Sequence, residues 1–196
     1  MIETAEAPAP EVIDDLARAC QSYVREAIGV ELDYTRDTLP LLDHYLSTIR
    51  ADVRERGELR QLVAHAVGAY FGEVMKRTIG GFWRMPSANV HDWAVCARTV
   101  FMSVNPMAVA YDAVFGGEQH DGPRSDLRVA LEYRASIAGR LSSLPPVPED
   151  EFYLLSTRLE VIEVAADALR SLMSASGYDE QEFDESDYAA EVAILN

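Results

Sequence analysis

The chain has 196 residues, 48% of them hydrophobic and 26% charged, the composition of one globular domain with a sizeable core and with no apolar run long enough to cross a bilayer. A formal net charge of −16 disfavours nucleic acid and anionic membranes as partners, because neutralising phosphates takes a basic surface, and makes a basic partner protein the easier expectation. Two cysteines, Cys20 and Cys96, lie among apolar neighbours and read as buried small hydrophobes rather than a disulfide.

Residues 1–10 read as a flexible acidic amino-terminus. They lack the basic and apolar regions of a secretory signal, so a cytoplasmic protein is expected. All 17 basic residues fall between Arg18 and Arg170, and all but Lys76 are arginine; that codon preference hints at a GC-rich bacterial genome. Residues 11–176 read as a single globular α+β domain, predominantly helical. About six helices are expected around a small two- or three-stranded antiparallel sheet, with a C-terminal helical hairpin.

The first helix spans about residues 11–28, with Ile13, Leu16, Cys20, Tyr23 and Ala27 at alternating three- and four-residue steps and Gly29 as its stop. A second follows "LDYTRDT", with Thr38 as cap and Pro40 in the first turn. The third, about residues 58–78, contains "GAYFGEVMKRTIGG". At about 100° per residue, Glu73 falls on the stripe of Tyr70, Val67 and Val74, with Arg77 on the same stripe, while Gly68 and Gly72 project together onto the opposite, nearly smooth face. A helix apolar on one side and smooth on the other is expected to be central. Glu73 then reads as half of a structural ion pair with Arg77 or Arg84; a buried general acid or base is the weaker reading.

"GGFWRMPSANVHDWAVCARTVFMSVNP" (residues 80–106) is rich in aromatic and β-branched residues with turn chemistry between them, and predicts short antiparallel strands. Asn105 is expected to cap a short helix with Pro106 at its first position, ending at Gly116-Gly117. Residues 125–142 read as a helix with Leu127, Leu131, Ile137, Ala138 and Leu141 on one face. After the proline-rich "SSLPPVPED", the last helix carries Phe152, Leu155, Leu159, Ile162, Ala166, Leu169 and Met173 at heptad spacing. This seam is expected to pack on the preceding helix, or else to make a homodimer through Leu155, Leu159, Ile162 and Leu169. Residues 177–196 form an acidic tail holding Tyr178, Phe183 and Tyr188 and ending in an apolar "VAIL" run. Three readings stand for it: a solvated end, a segment docked on the body, or an acidic and aromatic recognition segment for a basic partner.

No strong catalytic or binding motif occurs. Phosphate-binding glycine loops, HExxH, CxxC, GxSxG and calcium loops are all missing. His91-Asp92 and His120-Asp121 sit in expected loops, but nothing in the sequence brings them together, and neither a metal nor a cofactor is expected. The segments "ELDYTRDTLPLLDHYL" and "GAYFGEVMKRTIGGFW" together resemble a pattern in uncharacterised bacterial domains of unknown function: LD-Y-[ST], then G-x-Y-x-G-E-V and GG-x-W. The resemblance covers about a quarter of the chain, implies no activity, and suggests that Tyr70, Gly72, Glu73 and Trp83 act as a unit. The leading functional expectation is a non-catalytic protein-protein interaction module for a basic partner, immunity-like or regulatory. The alternatives are a small enzyme using Glu73 and a structural homo-oligomer.

Overall fold

The structure is a computed structural model, describing residues 8–178 and 181–194, with the side chains of 191–194 excepted. Its fold is α+β and predominantly helical. Seven α-helices of more than two turns and four strands lie among the described residues: α1 (Glu11–Ile28), α2 (Leu39–Glu55), α3 (Gly57–Ile79), β1 (Gly81–Arg84), β2 (Ala94–Ala97), β3 (Met102–Val104), α4 (Pro106–Phe115), β4 (Leu127–Val129), α5 (Arg134–Ser142), α6 (Leu155–Ala175) and α7 (Glu185–Ile194). No described helix is long and apolar enough to cross a membrane.

The middle of the chain is organised by α3, whose residues from Val63 to Lys76 are buried with the single exception of half-buried His65. Its two glycines explain how neighbours come so close. A Cβ on Gly68 would fall 2.9 Å from the Cα of Met107, in the first turn of α4, and one on Gly72 would fall 2.3 Å from the Trp83 ring. Both clash, so the smooth face of α3 is where α4 and β1 seat. Buried on all sides, α3 is the helix around which the others are laid.

Local chemistry sets the ends of these elements. Gly29 and Gly116 both turn left-handed to close α1 and α4. The Asn105 side chain accepts from the amides of Met107 and Ala108, capping α4 behind Pro106. Thr38 does not cap α2. Its hydroxyl instead meets the Tyr70 hydroxyl at 2.7 Å, and Tyr70 also accepts from the amide of Tyr34 at 2.9 Å. The Tyr34 ring stacks on Tyr70 with centroids 5.0 Å apart, which ties the turn before α2 to the middle of α3.

The sheet has strand order β1-β2-β3-β4, antiparallel throughout. Val95, Met102, Val104 and Val129 face inward to the core, and the alternating positions Phe82, Arg84, Cys96, Ser103 and Arg128 face outward. The fourth strand corrects the expected helix over 125–142. Residues Leu127 to Val129 pair with β3, a three-residue single turn follows, and the helix begins only at Arg134. Leu131 is accordingly 74% exposed instead of lying on an apolar stripe.

The heptad stripe of α6 begins at Leu155, while Phe152 lies in the preceding turn and is 43% exposed. Leu155, Leu159, Ile162 and Leu169 are all at most 5% exposed, packed against α2, α3, α4 and α5. That stripe is spent inside the chain, which removes the expected homodimer seam. The helix is also held at its amino end from outside: Asp43 of α2 accepts from the amides of Leu155 (2.7 Å) and Ser156 (3.1 Å) and from the Ser156 hydroxyl (2.7 Å). A buried carboxylate thus caps a helix distant in sequence, and burial pushes its pKa up against those three donors.

Candidate functional site

Glu73 is 4% exposed and both of its oxygens are engaged. The Trp83 indole donates to one oxygen at 2.8 Å, and the Lys76 ammonium, itself 3% exposed, sits 3.0 Å from the other. The ion pair expected with Arg77 or Arg84 is therefore made with Lys76. Spacings of three and four both bring helix residues together, and tertiary contacts decide between them: Arg77 lies over the Tyr34 ring, 4.5 Å from its centroid, and Arg84 points off the outer face of the sheet. A carboxylate held between an ammonium and an indole positions β1 against α3. Both of its oxygens are engaged by groups of the protein's own core.

The C-terminal segment is built into the body. Asp184 caps α7, accepting from the amides of Ser186 (2.8 Å) and Asp187 (3.3 Å), while Asp187 returns a bond to the Asp184 amide (2.9 Å). Tyr188 is 4% exposed, and its hydroxyl fills the turn between β2 and β3. It donates to the Ala97 carbonyl at 2.7 Å, lies within 3.1 Å of the carbonyls of Val100 and Met102, and accepts from the Met102 amide at 3.1 Å. Its ring stacks on Phe101, centroids 4.4 Å apart, and meets Phe82 edge-on. Tyr188 is thus a docking residue, correcting its expected place on a partner surface. The apolar run at the terminus reaches beyond the described side chains.

Phe183 is half-buried, with its ring edge-on to Phe101 at 5.3 Å and its amide donating to the Arg98 carbonyl at 2.7 Å. Tyr178 is 56% exposed. These two come together with Phe101, Tyr133 and Met173 around a recess of about 430 Å³ whose wall includes Glu132 and no basic residue. Four aromatic side chains and a carboxylate thus line one open space, with one face of the Phe101 ring covered by Tyr188.

The loop histidines go separate ways. His91 lies at the rim of a second recess, on the outer face of the sheet. His120 Nδ1 accepts from the Gly122 amide at 3.2 Å, which leaves Nε2 as the donor to Asp112 at 2.9 Å. Asp112 also receives Arg158 at 2.9 Å and the Ser125 hydroxyl. Serine, histidine and aspartate meet here, but the hydroxyl and the imidazole both donate to the same carboxylate, so the imidazole does not face the serine as a base. The cluster fastens the loop before β4 to α4 and α6. Among the described residues no group of three His, Cys, Asp or Glu is placed to hold a metal ion.

Neither recess was legible in the sequence as a site. Each draws its lining from segments far apart in the chain, and the only available signal was the surplus of aromatics in the acidic tail. No family model, no curated protein and no solved structure matches the chain.

Proposed function

We propose that this protein is a non-catalytic interaction module that takes a basic side chain of a partner protein into the aromatic recess of Phe101, Tyr133, Tyr178 and Phe183. The supporting observation is the lining itself: four rings, the Glu132 carboxylate and no competing base. A lysine or arginine inserted there gains cation–π contacts of about 0.5–1 kcal/mol per exposed ring, more when water is excluded. The surrounding charge acts in the same direction. With a formal net charge of −16, the long-range field steers basic proteins toward the surface and raises their association rate. Binding to a basic toxin or to a regulatory partner are two forms that such an interaction takes. The resemblance to domains of unknown function belongs to the same proposal and adds no activity to it.

The test is a titration of the full chain with a lysine-rich peptide and with a glutamine peptide of equal length, at constant ionic strength. Tyr178→Ala leaves the net charge unchanged, so it separates recess binding from non-specific attraction. The lysine peptide is expected to bind, Tyr178→Ala alone is expected to weaken it by about twofold to fivefold, and adding Glu132→Gln, which also removes a charge, is expected to bring the loss to about tenfold. Equal binding of the lysine peptide to wild type and variant would remove the recess from the account.

A further inference from the structure

We propose that the outer face of the sheet carries a second binding site, for a phosphate group, formed by Arg84, Arg124 and Arg128 with the Ser103 hydroxyl. Strand alternation places Arg84 of β1, Cys96 of β2, Ser103 of β3 and Arg128 of β4 on this face. The loop before β4 adds Arg124 and Asp126, the loop before β2 adds His91 and Asp92, and Tyr188 of α7 closes the far wall. The enclosed space is about 50 Å³, room for a few waters or one small oxyanion.

The arginines and the serine around this space lack protein acceptors among the described residues. Arg84 is half-buried, and its Nε is sealed from water without a hydrogen-bond acceptor. Ser103 is 9% exposed and its hydroxyl makes no hydrogen bond among the described residues. None of the three guanidiniums is in an ion pair with a described carboxylate, although the chain carries 33 acids against 17 bases. A donor left unsatisfied at a half-buried position is costly. At this recess the Arg84 Nε is such a donor, with the exposed Arg124 and Arg128 guanidiniums beside it, and an anion bound among the three would supply acceptors to all of them.

The number of donors selects the class of anion. A carboxylate offers two oxygens in one plane, about four acceptor sites, and carries a single charge. Three guanidiniums and a hydroxyl match the larger oxygen set and double charge of a phosphate. Asp92 and Asp126 also line the space, and Glu185 of α7 acts on Cys96 together with Arg84 and Arg128. Asp92 is engaged by the Ser87 hydroxyl at 2.7 Å, so three guanidiniums face two lining acids, an excess of one before Glu185 is counted. The Cys96 thiol in the floor takes no part as a nucleophile: burial pushes its pKa up to about 12, so it stays protonated.

The experiment is calorimetric titration of the full chain, in chloride buffer of fixed ionic strength, with inorganic phosphate, acetate and glycerol phosphate. Saturable one-to-one binding is expected for phosphate and not for acetate. Arg84→Met and Arg128→Met should each weaken it by about tenfold or more, and Ser103→Ala by less. Because Arg84 is half-buried, Arg124→Met on the exposed rim serves as a second variant, and each variant's melting temperature in chloride checks its fold. Tighter binding of glycerol phosphate than of phosphate makes the ligand a phosphate ester; equal binding makes it free phosphate. Acetate binding as well as phosphate, no saturable heat from either phosphate compound, or folded arginine variants that bind like wild type would each overturn the proposal.

Discussion

The two faces of the sheet treat polar groups in opposite ways. On the inner side, Glu73, Lys76 and Trp83 meet where almost no water reaches, and each polar atom of the carboxylate is matched. On the outer side, Arg84, Arg124, Arg128 and Ser103 share a recess with Asp92 and Asp126, and the buried Arg84 Nε has no acceptor among the described residues. A buried charge that is fully partnered holds a fold together, whereas a half-buried donor without an acceptor, set beside two exposed arginines, is a place where a ligand can supply what the protein does not. Between the two, the C-terminal segment borders both recesses: Tyr188 walls the arginine-lined one, and Phe183 and Tyr178 line the aromatic one.

The largest expected effect lies on the inner side. Lys76→Met strands the Glu73 carboxylate in the core, and urea unfolding should show a loss of about 3–5 kcal/mol. Combining it with Glu73→Gln, which keeps an acceptor for Trp83, should recover most of that loss. If Lys76→Met alone costs under 1 kcal/mol, the inner face is not the sealed pair described. Tyr188→Phe leaves the Met102 amide and the Ala97 carbonyl without their side-chain partner and should cost about 1–3 kcal/mol. Faster amide exchange at Met102 would mark the same loss locally. Asp43→Ala removes the cap of α6 and is expected to cost about 1–2 kcal/mol, an effect independent of either face.

The smallest effect is a pH dependence confined to the C-terminal segment. Hydrogen bonds from the Ser186 side chain and amide, then from the Asp187 amide, hold the Asp184 pKa below the usual aspartate value. A depressed folded pKa means that the cap contributes fully above the unfolded value and is lost as the pH falls through the folded one. Protection of the α7 amides should therefore drop on acidification below the ordinary aspartate range, while α3 stays protected. Asp184→Asn should flatten that dependence. Simultaneous loss of protection in both helices would show that α7 is not an independent docking element.

Much of the helical frame was legible because its signals are local. Asn105-Pro106 opening α4, Gly29 closing α1, and the glycines of α3 facing close neighbours all follow from residue chemistry within a turn or two. The misplaced features depend on contacts between distant segments. Lys76 and Arg77 are both acceptable helix partners for Glu73, and the choice falls to the Tyr34 ring that engages Arg77. β4 was hidden because Leu127 and Leu131 also satisfy a helical spacing, and a strand of three residues owes its existence to pairing with β3. The α6 stripe was read correctly as a packing seam. Its partners are four other helices of the same chain, which no periodicity reveals.

The central claim is that the aromatic recess receives a cationic side chain, and the most direct measurement is a map of amide and aromatic-ring chemical shifts during titration with a lysine-rich peptide. The largest shifts are expected at Phe101, Ala130, Tyr133, Tyr178 and Phe183, with the rings moving more than the surrounding amides. Shifts centred instead on the exposed acids of α1, with the recess silent, would contradict it.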